Sequence, residues 1–223
     1  QMDLVAKRRD GSEVLVEIAL SPLQDHGLPY VVAAIRSVAE YPRVRQALQR
    51  ARHAECLASF GRLAVDAREL DPLLDQLAAM VAQALQIDMV QVRLLEPSGT
   101  QMRIAATAGL VCESVGHLVD IVPGCAAEQV LRDARSVLID RRARDAALEI
   151  PVRYQDAGVT SELLVPLTDR GRAIGMICAF ATGGARFGDD ETRFLESISS
   201  MVATVLQRSG SEDALKHAQR LDS

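Results

Sequence analysis

The sequence contains no tryptophan and no asparagine, and both absences narrow the ligand chemistry that it can build. Cysteine is scarce. Cys56, Cys112, Cys125 and Cys178 form no CxxC and have no histidine at metal-ligand spacing, so free thiols in a reducing cytoplasm are expected. Cys178 lies inside an apolar stretch and reads as a small core residue. There is no excess of positive charge: the net charge is −5, which leaves no electrostatic footprint for nucleic acid or an anionic membrane. Arg141, Arg142 and Arg144 are flanked by Asp140 and Asp145 and read as a solvated loop.

Long apolar runs are also missing. The longest, around Met176 to Ala181, is too short to cross a bilayer. Lys7-Arg8-Arg9 is followed by DGSEVLVEI rather than an apolar stretch, so no signal peptide is expected. No GxxxxGK[ST] loop, no GxGxxG at a strand–helix junction and no HExxH occurs. The histidines (His26, His53, His117, His217) lack the serine, cysteine or carboxylate neighbours of a triad. An intrinsic enzyme is not expected, and neither is a metal site or a cofactor.

What is present is a chain of 223 residues, 48% hydrophobic, long enough for one or two domains with a substantial core. Val14, Val16 and Ile18 alternate with Glu13 and Glu17 as in a half-buried strand. Asp10-Gly11 before them suits a hairpin turn. After Ser21-Pro22 and Asp25-His26-Gly27 a third run extends from Tyr30 to Val38. The order KRRDGSEVLVEIALSPL…GLPYVVAAIRSVAE resembles the final strands of a PAS domain. Residues 1–40 are expected to be the C-terminal part of such a domain, a three-stranded meander without a complete ligand pocket. A small sheet of this kind is marginal alone and is expected to rest on neighbouring protein.

From Tyr41 to Asp66 the period becomes helical. Val44, Ala47, Ala51, Ala54, Ala58, Gly61 and Val65 recur at spacings of three and four. The stripe reads either as a coiled-coil seam or as a face buried within the chain. Asp71-Pro72 starts another helix, with Leu73, Leu74, Leu77, Met80, Val81 and Leu85 on its apolar face. Val90, Val92 and Leu94 alternate as a strand, and Met102–Ala108 returns after the Glu96-Pro97-Ser98-Gly99 turn. Pro123-Gly124 precedes a short helix, then Ser136–Asp140 a short strand. Two apolar runs follow, around Asp169-Arg170-Gly171, and read as a hairpin. Asp189 and Asp190 then open a helix patterned on Phe194, Leu195, Ile198, Val202, Val205 and Leu206.

That order, with VPL before the turn, IGMICAF after it and RFGDDETRFL opening the last helix, resembles a GAF domain. The resemblance implies an α+β fold over 57–207, a central antiparallel sheet of about six strands related to the PAS and profilin folds. Long helices flank it, with 41–66 as linker helix and 208–223 as a helical linker after Ser209-Gly210-Ser211. It implies a small-molecule pocket between the sheet and the segments 109–132 and 140–160. The polar candidates there are Cys112, His117, Cys125, Glu128, Arg142, Arg144, Arg153, Tyr154, Thr160 and Ser161. Of these, Cys125, Glu128, Arg153, Tyr154, Thr160 and Ser161 are the principal ones. Bilin attachment is not expected without a Cys-His pair. The Asn-Lys pair of the cyclic-nucleotide subclass cannot exist in a chain without asparagine, and haem would have only Tyr154 in AALEIPVRYQDA.

The family resemblance further implies a cytoplasmic sensory module. It would dimerise through flanking helices along Val44, Ala47, Ala51, Ala54, Ala58, Val65, Ile198, Val202 and Val205. The ending ALKHAQRLDS resembles the segment before the phosphoacceptor helix of bacterial histidine kinases, so a kinase core is the expected downstream partner. A ligand-free dimeric spacer, or a sensor for a diguanylate cyclase or phosphodiesterase, is the alternative. Nucleic acid and a membrane segment are not expected.

Overall fold

The computed structural model describes residues 3–7, 9, 13–25, 28–37, 41–67, 69–110, 113–141, 148–182 and 187–221. It divides into two compact units, Gln1–Ala51 and Arg52–Ser223.

The first unit holds β1 (Asp3–Lys7), β2 (Glu13–Asp25) and β3 (Leu28–Ser37). They form an antiparallel sheet in the order β1-β2-β3, the expected meander. Strand β2 runs through Ser21-Pro22 to Asp25, and Pro22 is in register with Val31 of β3. The Asp10-Gly11 turn and His26 lie outside the described residues.

Helix α1 (Tyr41–Asp66) begins in the first unit and ends in the second. The second unit continues with α2 (Leu70–Leu85), β4 (Met89–Leu95), β5 (Gln101–Gly109) and β6 (Leu118–Asp120). Next come α3 (Ala126–Asp133), β7 (Val137–Asp140) and α4 (Val152–Asp156). The hairpin β8 (Val159–Asp169) and β9 (Arg172–Thr182) leads to α5 (Asp189–Leu221). The six strands form one sheet, β6-β5-β4-β9-β8-β7, with every pairing antiparallel. Arg170 and Gly171 both have positive φ, 48° and 81°. That is what a two-residue hairpin turn matching the strand twist requires.

Period two sorts each strand into two faces. On the back face Val90, Val92, Leu163, Val165, Ile177 and Ala179 are buried with Phe60 of α1, Leu77 and Val81 of α2, and Leu195 and Ile198 of α5. On the front face Met89, Leu164, Met176, Cys178 and Phe180 pack with Val130 of α3, Tyr154 of α4, Ile139 and Ile150. Each fully buried side chain of this size contributes about 1.5–3 kcal/mol. Because both faces are covered, β8 and β9 read as nearly unbroken apolar runs.

Helix α2 starts one residue before Asp71: Glu69 is its N-cap, and Asp71 supplies first-turn negative charge. Helix α5 opens with Asp189, Asp190 and Glu191, and the Glu191 carboxylate accepts the Gly188 N–H at 2.7 Å. The expected break at Ser209-Gly210-Ser211 does not occur, since α5 runs through to Leu221. A single glycine costs about 1 kcal/mol in a helix, too little by itself to end one that continues on both sides. Ser199 Oγ donates to the carbonyl of Pro166 and clips α5 to β8. Among the described residues, no helix is long and apolar enough to cross a membrane.

The small-residue stripe of α1 divides from its buried face. Ala47, Ala51, Ala54, Ala58 and Val65 are exposed, whereas His53, Cys56, Phe60 and Ala64 are buried. The side chain of Val44 lies outside the described residues. Ile198, Val202 and Val205 are buried in the chain's own back-face core. That face of α5 is therefore already occupied.

His53 stacks on Phe194 with ring centroids 4.3 Å apart, and its Nε2 is buried without a partner. Burial holds its pKa below the ordinary value, with Glu191 and Asp190 opposing the shift. A depressed histidine pKa makes stability fall as pH drops through the unfolded value of 6.5. His53→Phe, which keeps the stack and removes the orphan nitrogen, is expected to add about 1 kcal/mol. The gain in Tm is expected to grow below about pH 6 in a melting series; a pH-independent change would contradict this account.

Candidate functional site

The front face carries a polar cluster inside the apolar layer. Gln91 and Arg93 alternate with the back-face Val90 and Val92, so β4 aims both at the front. Arg93 is 3% exposed and Gln91 fully buried. The Gln91 Oε1 accepts from Arg93 Nε at 3.0 Å and from Nη2 at 2.6 Å. Arg93 Nη2 also donates to the Tyr154 hydroxyl at 2.5 Å. That hydroxyl in turn donates to Glu113 Oε2 at 2.5 Å. Glu113 Oε1 meets Arg153 Nε at 2.9 Å and His117 Nε2 at 3.8 Å.

The apolar walls position these groups. Tyr154 packs on Phe180 with centroids 4.7 Å apart. The Arg93 guanidinium carbon lies 5.7 Å from the Phe180 ring centroid, and Arg153 covers the other aromatic, 5.0 Å from the Tyr154 centroid. Burial alone would lower the Arg93 pKa, but the acidic groups around it, Glu162 and Glu113 among them, outweigh it and push it up. The guanidinium is thus a permanent buried cation. Tyr154 is pushed up chiefly by burial, with Glu113 adding to the rise, and stays a donor. Burial raises the Cys178 thiol to about 12, which leaves it inert.

Glu162 completes the cluster. Leu163 and Leu164 lie on opposite faces, so Glu162 shares the front with Leu164. It is 3% exposed, and burial raises its carboxyl to about 7 against the pull of Arg93 and Arg153. Its Oε2 has no hydrogen-bond partner, nor do Gln91 Nε2 and Thr107 Oγ1. Thr107 is in register with Gln91 across β4–β5, so it faces the same side.

Of the principal sequence candidates, Arg153 and Tyr154 belong to this cluster. Cys125 and Glu128 instead cap α3: the Cys125 sulfur accepts the Glu128 N–H at 3.4 Å, and Glu128 Oε2 accepts the Gly124 N–H at 2.6 Å. Glu128 also lines a cleft of about 400 Å³ with Leu95, Thr100, Ile121, Leu131 and Arg132. The β8 register slips between Val159 and Ser161, and Thr160 Oγ1 donates to the Ala181 carbonyl at 3.3 Å. Ser161 is buried on the back-face side with Leu163, so it does not face the cluster. Cys112, Arg142 and Arg144 lie outside the described residues.

Arg93, Gln91, Glu113 and Glu162 escape sequence reasoning. Alternation in β4 suggests a solvated second face, but Val130 of α3, Ile150 and Tyr154 of α4 pack over that side of the sheet. The two long connections, 109–132 and 140–160, were the available signal. Among the described residues, no group of three or more His, Cys, Asp or Glu side chains is placed to hold a metal.

Known structures share the architecture. The GAF domain of a phosphoenolpyruvate-protein phosphotransferase from Coxiella burnetii superposes with a TM-score of 0.63 at 15% identity, covering 73% of this chain and 96% of its own. Free methionine-R-sulfoxide reductase from Neisseria meningitidis, in complex with its substrate, gives 0.60 at 18%, covering 72% and 91%. The phycoerythrobilin-bound GAF domain of a cyanobacterial phytochrome gives 0.60 at 17%, covering 72% and 97%. No curated protein matches the sequence. The GAF domain family model matches residues 69–206, and by that match this chain belongs to the GAF domain family.

Proposed function

We propose that the chain is the sensory module of a two-component histidine kinase, taking a small ligand on the front of the sheet and passing its effect to helices on the back. The single observation that supports this is the two-sided use of β8. Glu162 faces the polar cluster, while Leu163, Val165 and the Pro166 carbonyl hold the helical layer and α5. A ligand that favours one arrangement of the front thereby biases the helices behind it, in proportion to its differential affinity for the two arrangements. On this reading residues 1–40 are the last strands of a PAS domain. The exposed stripe of Ala47, Ala51, Ala54 and Ala58 is the seam of a homodimer, and the protein acts in the cytoplasm.

The kinase assignment rests on the resemblance of ALKHAQRLDS to the segment before a phosphoacceptor helix. Incubation of the full-length parent protein with labelled ATP is expected to yield an acid-labile phosphohistidine. Cyclic dinucleotide synthesis or hydrolysis instead would replace the kinase by a cyclase or phosphodiesterase. Light scattering of the present chain is expected to give a dimer mass, and a monomer at high concentration would remove the helical seam.

A further inference from the structure

We propose that the front-face cluster binds a small zwitterion of the α-amino-acid type, its carboxylate taken by Arg93 and Gln91 and its ammonium by Glu162. The inference rests on the reading of the domain as a ligand sensor and specifies the ligand. Among the described residues, no carboxylate lies within 4.0 Å of the Arg93 guanidinium. Its side-chain acceptors are the neutral Gln91 Oε1 and Tyr154 hydroxyl. A buried cation with no carboxylate in contact is costly, and a ligand anion is the group that relieves it.

The other unsatisfied groups fix the rest of the ligand. Gln91 Nε2 is a second buried donor without an acceptor, which suits the same carboxylate. Glu162 Oε2 is a buried acceptor without a donor, which suits an ammonium. Gln91, Arg93 and Glu162 share the front face of the sheet. Arg93 reaches along β4 until its guanidinium hangs beside Phe180, the residue in register with Glu162. A plain anion would meet the Glu162 carboxylate, and a plain cation would meet Arg93. Only a molecule carrying both charges satisfies the set. Phe180, Met176 and Leu164 form the floor beside it, so an apolar side chain is favoured.

Tyr154 now stands where that carboxylate would accept from Arg93. Its replacement would break the bond to Glu113 and free Arg153 and α4 from the front of the sheet. Binding therefore carries its own conformational signal.

The test is a melting-temperature and titration screen of this chain against the proteinogenic L-amino acids at millimolar concentration. Each hit is compared with its deaminated acid and its decarboxylated amine. AMP, cGMP and biliverdin represent other ligand classes. One or more apolar amino acids are expected to raise Tm, as any ligand specific to the folded state does. Loss of either charged group from the ligand is expected to weaken binding by about tenfold or more, and so are Glu162→Gln and Arg93→Met. Glu162→Gln should remain fully folded, which separates lost binding from lost structure. Hits that bind both variants as tightly as the parent would overturn the proposal. A response confined to AMP, cGMP, biliverdin or a singly charged analogue would overturn the ligand class and keep the sensor. Silence toward every compound would overturn both and leave a structural spacer.

Discussion

Glu162→Gln stabilises the protein by about 3 kcal/mol near pH 8 and changes nothing near pH 4. The fold holds this carboxyl protonated, with its pKa raised from 4.5 to about 7 by burial against the partial relief of Arg93 and Arg153. Between those values the folded state keeps a proton that the unfolded chain releases, so stability declines as pH rises. Its contribution is complete below 4.5 and gone above about 7. At about 1.4 kcal/mol per pH unit the gap amounts to roughly 3 kcal/mol. Glutamine carries the neutral shape at every pH and escapes that loss. For a domain of this size the gain is roughly 6–12 °C in Tm near pH 8. Melting curves of both proteins from pH 4 to pH 8 should converge at the acid end. Parallel curves would mean that Glu162 titrates normally.

Gly175→Ala is expected to destabilise by about 3 kcal/mol or more, the upper range for overpacking. Gly175 is in register with Leu94 across β4–β9, one position from the Arg93–Met176 pair. A Cβ built there falls 2.3 Å from the Arg93 carbonyl oxygen, 3.1 Å from Leu94 Cα and 3.2 Å from Leu94 Cδ2. Two of these are backbone atoms, which cannot rotate away. The strands must part, and they part at the residue whose guanidinium organises the front face. The readout is the denaturant midpoint. A shift worth under about 1 kcal/mol would show that the two strands tolerate separation. Loss of front-face binding in any folded fraction should accompany the shift.

Much of the architecture was legible because it is written in periodicity. The β8–β9 hairpin, the acidic start of α5 and the apolar face of α2 each follow from spacing and local chemistry. Errors came where context decides. Gly210 looks like a stop, yet a long helix absorbs it. At the site, Arg153 and Tyr154 were legible from the segment that covers the sheet. Thr160 and Ser161 stand out in the sequence as polar residues of β8, whereas Glu162 is the one that faces the cluster. Around the register slip at Thr160, a displacement of one residue exchanges the two faces. Arg93 and Gln91 stayed hidden because alternation alone does not say what covers the second face of a strand.

Helix α5 has 33 residues, about 50 Å at 1.5 Å per residue. The Ser199–Pro166 clip, the buried Val202 and Val205 and the bonds from Arg208 to the Ala64 and Ala67 carbonyls hold it as far as Arg208, and from there to Leu221 it extends for about 20 Å. Such a segment is a stiff pointer with its base on the helical layer. A rocking of about 5° at that base would carry the far end roughly 2 Å sideways. On the proposed reading the fold would thereby act as a mechanical amplifier, and displacements too small to disturb the core would arrive at the end of α5 as movements about the size of a methyl group.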